Sequence, residues 1–571
     1  MTNPPKDELI CHIRDAIIGS SETMVGPFGP RPMVYADYTA SGRALSFVEK
    51  YISELVLPLY ANTHTESSGT GLQTTKFREE ARSVIADAVG ATDEHAVLFC
   101  GSGSTGAIAK LIGVLGLRIP SLLEDRYALE QHIPADQRPV VFIGPYEHHS
   151  NEIPWRESIA DVVTINEDAD GHIDLDMLET ELRRYADRPQ LIGSFSAASN
   201  VTGILTDVAA VSELLHRYGA RAFWDYAAAA PYVEIDMGGH GGEQLDAVFV
   251  SPHKFIGGPG TPGLLVARRD LFTNRVPDVP GGGTVTYVNP TEHDYLPDVE
   301  HREEGGTPDI VGSIRAGLVF QLKNAVGVDT IKAREEDLLA KAFASWGEHP
   351  NLEILGNQDA DRLSIVSFVV RDSDRADHNR RQFLHHNFVV AVLNDLFGIQ
   401  SRGGCSCAGP YGHRLLGIDL DQSRAFESEI TLGCEGIKPG WIRVNFNYFI
   451  DDEALEYIVG AVALLADRGH ELLPYYRFEP DTGMWRHRFG VTAPPHSLFD
   501  ISYESGSMTF PTRSTAGDAT SLAEHLAQAE AMFDRLASEE IELLDPPATT
   551  PDFEALRWFR YPHEIDTIQP A

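Results

Sequence analysis

The segment DAVFVSPHKFIGGPGTPGLL, Asp246 to Leu265, carries a single lysine, Lys254, where a short apolar run ends and a glycine-rich loop begins. An amine there can serve as nucleophile or base once burial or neighbouring positive charge weakens its hold on a proton. Three further groups stand at comparable places. Asp225 closes the apolar run RAFWD. His148 follows a strand-like run in VVFIGPYEHHSN. CGSGSTGAIAKL passes through Gly101, Ser102, Gly103, Ser104 and Thr105 into a helix-like run. Taken singly, these are a surface lysine, a helix-capping aspartate, ordinary surface histidines and a flexible turn. Taken together at strand ends, they form another set. They offer an amine for an aldehyde and a buried carboxylate to keep a pyridine nitrogen protonated. They add an imidazole for a ring face, and N–H groups and hydroxyls at a helix N-terminus for a phosphate. That set predicts pyridoxal phosphate as cofactor.

Such groups converge only if their strands end at one edge of a sheet. HAVLFC, PVVFIG, ADVVTI, QLIGSFS, RAFWDY, DAVFVS and GLLVAR are short runs rich in β-branched or aromatic residues, and helical patterns such as DMLETELRRYA and VAAVSELLHRYG lie between several of them. Buried strands alternating with helices predict an α/β fold with a mostly parallel sheet, whose ligands gather at the carboxyl ends of the strands. One strand–helix–strand step is expected between Asp225 and Lys254. Beyond Phe320 the pattern changes to long helices and to the strands LEILG, LSIVSFVV and WIRVNFNY of a smaller α+β domain. The expected organisation is an N-terminal segment over 1–30, a large cofactor domain over 31–320, a small domain over 321–470 and an extension over 471–571. In the extension TGMWRHRFGVTAPP reads as loop and SLAEHLAQAEAMFDRLASEEIELL as one amphipathic helix.

The chain has 571 residues, too many for one core when domains hold about 100–200. Its formal net charge of −38 argues against nucleic acid as a partner. The N-terminal MTNPPKDELICHIRD lacks the apolar core of a signal peptide, and no apolar run is long enough to span a membrane. Five cysteines, an odd and sparse set, suggest reduced thiols in a cytoplasm. Cys405 and Cys407 are separated by one residue, with no matching His/Cys cluster, so no metal site is expected.

These motifs resemble those of the class V aminotransferases of pyridoxal phosphate fold type I, and within them the cysteine desulfurases and selenocysteine lyases, over roughly residues 30 to 465. YADYTASG resembles the family's opening strand, EHHSN its histidine motif, SNVTG, WDYAAAAPY and SPHKF its cofactor segments, and EEGGTPD a segment that reaches across to a second subunit. The resemblance implies that His148 stacks on the ring and Asn200 approaches cofactor and substrate. It places Asp225 on the pyridine nitrogen, Ser251 and His253 on the phosphate, and Lys254 on the aldehyde. Thr307 is implied to reach the partner's phosphate, hence a homodimer with shared sites. SRGGCSCAGP resembles the desulfurase catalytic loop, with Cys407 at the nucleophile's position and Arg402 at the loop arginine's, and WIRVNFNYF puts Arg443 on the arginine that clamps an α-carboxylate. The chain departs from the family at Ala228, where a glutamine is usual, in the doubled Cys405–Cys407 loop, and after His470.

The implied activity acts on a small amino acid: a cysteine desulfurase that converts L-cysteine to L-alanine and leaves a persulfide on a loop cysteine, with a protein sulfur acceptor as a further partner. A C–S β-lyase giving pyruvate and ammonia is the alternative. Aminotransfer, epimerisation and kynureninase-like chemistry occur on the same fold, as would a non-catalytic interaction protein on this scaffold.

Overall fold

The computed structural model describes residues 6–63, 66–241, 244–372, 383–490, 494–511, 520–536, 539 and 541–564. All seven apolar runs form strands: β1 (His95–Cys100), β2 (Val140–Ile143), β3 (Asp161–Thr164), β4 (Leu191–Ser196), β5 (Arg221–Asp225), β6 (Ala247–Val250) and β7 (Gly263–Arg268). They build one seven-stranded sheet in the order β1-β7-β6-β5-β4-β2-β3. Only β7 runs antiparallel to its neighbours; the β6, β5, β4, β2 and β3 pairings are all parallel. The runs are almost continuously apolar because both faces are covered. Leu98, Val141, Phe223, Phe249 and Leu265 face one core, and Val97, Phe142, Trp224, Val248 and Val266 face the other. Helices α1 (Gly103–Val114), α2 (Leu175–Arg184) and α3 (Val208–Arg217) flank the sheet. Asp174 and Asp207 cap the last two, their carboxylates accepting from the N–H groups of Met177 and Ala210.

Two expectations about elements need correction. Among the described residues between β5 and β6 there is no helix; the chain crosses over in turns that bury Ala229, Ala230 and Tyr232. YADYTASG is strand only at its first residue, Tyr35, which together with the preceding Val34 pairs parallel with Ile399–Gln400. The rest leaves the ladder, because Thr39 and Ala40 turn into a cavity and Asp37 pairs with Arg443.

The long helical stretch divides at Gly327, φ +87°, into α4 (Ile310–Val326) and α5 (Val328–Trp346). Beyond it β8 (Leu352–Ile354), β9 (Ile365–Val370), β10 (Arg402–Gly404) and β11 (Trp441–Asn445) form an antiparallel sheet in the order β8-β9-β11-β10. Helices α6 (His386–Phe397) and α7 (Asp452–Arg468) pack on it through Phe388, Val392, Leu396, Ile458, Val462 and Leu465. The stretch read as loop contains a strand: β12 (Tyr476–Glu479) and β13 (Met484–His487) make an antiparallel hairpin, while 491–493 lie outside the described residues. The amphipathic helix is shorter than expected; it is α8 (Leu522–Leu536), and 537, 538 and 540 are not described. No helix among the described residues is long and apolar enough to cross a membrane.

Candidate active site

The carboxyl edge of the large sheet positions the chemistry. β5 ends on Asp225, β6 ends on Val250, and one helical turn, Pro252–Lys254, carries Lys254 over the edge. α1 starts at Gly103, with two residues between it and the end of β1. Its φ of +56° suits glycine, and a Cβ there would lie 2.7 Å from Ser251 Oγ and 2.8 Å from the His253 ring. From the small domain, β10 brings Arg402 and β11 brings Arg443 to the same place. The result is a cavity of about 210 Å³.

Lys254, Asp225, His148, Asn200, Ser251, His253, Ser104, Thr105, Arg402 and Arg443 all line it. Gly103 lies directly behind Ser251 and His253. Besides Gly103, two of the residues named from the sequence are not in the wall. Cys407 is partly exposed, and its neighbour Ser406 occupies the wall in its place. Thr307 is exposed and accepts a hydrogen bond from Asn62 Nδ2 at 3.2 Å. Ala228 also lines the cavity and brings no polar group to it.

Burial governs the charge states. It pulls the Lys254 amine down to about 8; Arg443 and Arg402 act in the same direction, while Asp225 and Asp37 oppose it. It pulls His148 down to about 3, with Lys254 adding to the effect, and His253 down to about 4. Both imidazoles are therefore neutral near pH 7. His148 Nδ1 accepts the Ser150 N–H at 3.1 Å, so its remaining proton sits on Nε2. Burial pushes the Asp225 carboxyl up, and the Ala227 N–H at 2.8 Å and the charge of Lys254 counter that. Ser251 Oγ accepts the Ser104 N–H at 2.8 Å and Thr105 Oγ1 is 2.7 Å from Ser150 Oγ, so a cluster of hydroxyls sits at the α1 N-terminus.

The two arginines differ. Arg443 is held: Nη2 donates to Asp37 Oδ1 at 2.8 Å and Nη1 to the Asn200 carbonyl at 3.0 Å. The Arg402 side chain makes no hydrogen bond or ion pair with any described residue and lines the cavity as a guanidinium without a carboxylate partner. Sequence reasoning gave no role to Asp37, Ser196 or Glu147. Glu147 is buried and accepts from Ser196 Oγ at 2.6 Å, Ser196 N at 2.9 Å and Asn151 Nδ2 at 2.7 Å, and burial pushes it up to about 7. An acid directly before the histidine pair was the available signal.

The residues fit pyridoxal phosphate. Asn200 Oδ1, Ser406 Oγ and Arg443 Nε, all on lining residues, are buried without partners, which a bound polar group would relieve. An acidic residue, a free amine and a hydroxyl-rich helix N-terminus all line the wall, the chemistry that a pyridine nitrogen, an aldehyde and a phosphate call for. Among the described residues no group of three His, Cys, Asp or Glu side chains is placed to hold a metal ion.

This sheet, with its edge-on lysine and aspartate, defines a class that comparison with known proteins identifies. The profile of aminotransferase class V matches residues 34–419, and the chain belongs to that family, whose members are pyridoxal phosphate enzymes of fold type I. A cysteine desulfurase of Dickeya dadantii is 28% identical over 388 residues, covering 66% of this chain and 84% of that one. A probable cysteine desulfurase of Halobacterium salinarum is 26% identical over 404 residues, covering 70% and 88%. The apo structure of a cysteine desulfurase from Thermococcus onnurineus superimposes with a TM-score of 0.62 at 23% identity, covering 82% of this chain and 99% of its own.

Proposed function

We propose that this enzyme binds pyridoxal phosphate in the cavity and is a cysteine desulfurase, converting L-cysteine to L-alanine and passing the sulfur to Cys407. The observation that carries the reading is the convergence of Lys254, Asp225 and His148 with the guanidinium groups of Arg402 and Arg443 in one small cavity. Lys254 would hold the aldehyde, Asp225 the pyridine nitrogen, His148 the ring face, and Ser104, Thr105, Ser251 and His253 the phosphate. Bound there, pyridoxal phosphate would supply an electron sink for the charge left on the substrate's α-carbon.

The remaining work falls to the chain. Arg402, without a carboxylate of its own, and Arg443, fixed by Asp37, receive the substrate α-carboxylate. Lys254, brought down to about 8, is neutral in about one molecule in ten at pH 7, far more than a solvated lysine, and moves the α-proton as general base, then acid. The Cys407 thiolate takes the substrate sulfur. The cysteine desulfurase relatives support this step. A homodimer is part of the reading. Leu55, Leu57, Leu59, Tyr60 and Leu72 are exposed, and Asn62, two residues beyond Tyr60, contacts Thr307.

One observation favours a second reading, a C–S β-lyase: the wall holds Ser406 rather than Cys407. Incubating the holoenzyme with L-cysteine and a reductant, and quantifying alanine, sulfide and pyruvate, separates the two. Alanine matched by sulfide, and lost in Cys407→Ser, supports the desulfurase; pyruvate with ammonia, unchanged in that variant, establishes the lyase.

A further inference from the structure

Cys405 has no part in the reaction above, yet it shares a turn with Cys407. The Ala408 N–H donates to the Cys405 carbonyl at 3.0 Å, closing a four-residue turn whose central residues, Ser406 and Cys407, have φ of +50° and +57°. Positive φ at both central positions is the habit of a type I′ turn, which glycine, asparagine and aspartate normally occupy. Serine and cysteine in that conformation are strained, and such strain persists only where the surroundings enforce it.

The surroundings do so here from the large domain. Asn200 Nδ2 donates to the Ser406 carbonyl at 2.9 Å, the His149 N–H to the Cys407 carbonyl at 2.8 Å, and the Gly409 N–H to His149 Nε2 at 3.1 Å. The turn is thereby clamped with Ser406 in the cavity wall, its buried hydroxyl unpartnered, Cys407 partly exposed and Cys405 exposed. Cys405 is the first residue of the turn and Cys407 the third, so two trans peptide units of about 3.8 Å each, bent at Ser406, separate their Cα atoms. Two sulfurs can bond when their Cα atoms are about 4.4–6.8 Å apart, a range that overlaps this separation. The three residues grade from cavity to solvent in the order Ser406, Cys407, Cys405.

We infer that Cys405 is a second catalytic thiol, a relay that lifts the sulfane sulfur from Cys407 to the surface and presents it to a thiol carried on a protein acceptor. The inference rests on the desulfurase reading. The Cys405 thiolate attacks the outer sulfur of the Cys407 persulfide; the new S–S bond forms on Cys405 as the old one breaks, and its electron pair leaves on the Cys407 sulfur. The proton that Cys405 gave up to become a thiolate is matched by the one Cys407 regains. No oxidant or reductant is consumed. An acceptor thiolate repeats the same exchange at Cys405. Cys407 is then free for the next substrate, while the acceptor meets the more exposed Cys405.

The test is a quenched time course of the holoenzyme with one equivalent of L-cysteine and no reductant, followed by alkylation, peptide mass spectrometry of the 401–410 loop and alanine quantification. In the wild type the extra sulfur is expected first on Cys407 and then on Cys405. In Cys405→Ser it should stay on Cys407, and in a separate run with dithiothreitol added as acceptor sulfur release should be slowed at least tenfold; in Cys407→Ser neither position should carry it. Alanine formed with the sulfur confined to Cys407 throughout, or release undiminished in Cys405→Ser, overturns the relay and leaves the desulfurase reading standing. Sulfur reaching Cys405 in Cys407→Ser overturns the order of transfer and with it the relay. Pyruvate in place of alanine in the wild type overturns both.

Discussion

Lys254 and Arg402 show how much of the chemistry a single residue's surroundings decide. A solvated lysine is almost wholly protonated at pH 7, whereas burial brings Lys254 down to about 8. Only the neutral amine can add to an aldehyde, so cofactor uptake by the apoprotein should quicken as pH rises through about 8 and then level. Stopped-flow absorbance between pH 6.5 and 9.5 would check this, and a rate still climbing steeply beyond pH 9.5 would contradict it. Arg402 and Arg443 should separate under mutation. Arg402 has no protein partner to strand, so Arg402→Ala should raise KM for the amino acid roughly 10- to 100-fold, the loss of a charge-assisted bond of about 1.5–3 kcal/mol, and leave thermal stability unmoved. Arg443→Ala strands Asp37 and should also destabilise the fold by about 3 kcal/mol, read as a lowered denaturation midpoint. Lys254, Asp225 and His148 were legible because each follows an apolar run. Glu147 and Asp37 were not: their roles depend on Ser196 and Arg443, which meet them only in the folded chain.

At the scale of elements, the join between β1 and α1 is the most exposed to a single substitution. Gly103→Ala would place a methyl group 2.7 Å from Ser251 Oγ and demand φ of +56° from alanine. It should weaken pyridoxal phosphate binding at least tenfold, measured by equilibrium dialysis, because the helix N-terminus and its hydroxyl partner must part to admit the methyl group. The seven strands of the large sheet were legible because burial on both faces makes each an unbroken apolar run. The β12–β13 hairpin was not, for the opposite reason. Its strands alternate, with Tyr476, Phe478, Trp485 and His487 buried and Arg477, Met484 and Arg486 outward, and each is only four residues long. Gly483 in its turn, φ +67°, was the signal available. The missing helix between β5 and β6 follows from cavity space: Ala227 and Ala228 line the wall directly after Asp225, so the chain must turn at once.

At the scale of the whole molecule, the extension is no loose appendage. Phe478, Trp485, Phe533, Phe553, Phe559 and Tyr561 are buried in the same core as Phe388, Val392 and Val462 of α6 and α7. Phe559→Ala should therefore cost about 3–5 kcal/mol, measured by denaturant unfolding, although it lies far along the chain from every proposed catalytic residue. The proposed dimer makes a sharper demand, because it divides one site between two chains. If Thr307 serves the second copy's phosphate site, the two halves of a site can be supplied separately. Lys254→Ala removes the amine from its own site but still offers Thr307 outward; Thr307→Ala keeps its amine but offers nothing. Each homodimer should then bind cofactor weakly or not at all, while co-expression should restore tight sites, since the Thr307→Ala subunit keeps Lys254 and receives Thr307 from its neighbour. Absorbance after dialysis against buffer without cofactor would measure the restored fraction. If Thr307 instead acted within its own chain, no combination of the two variants could rebuild a complete site. Replacing Leu57 and Leu59 with glutamate should abolish the restoration by separating the subunits, which light scattering would register as a halved mass.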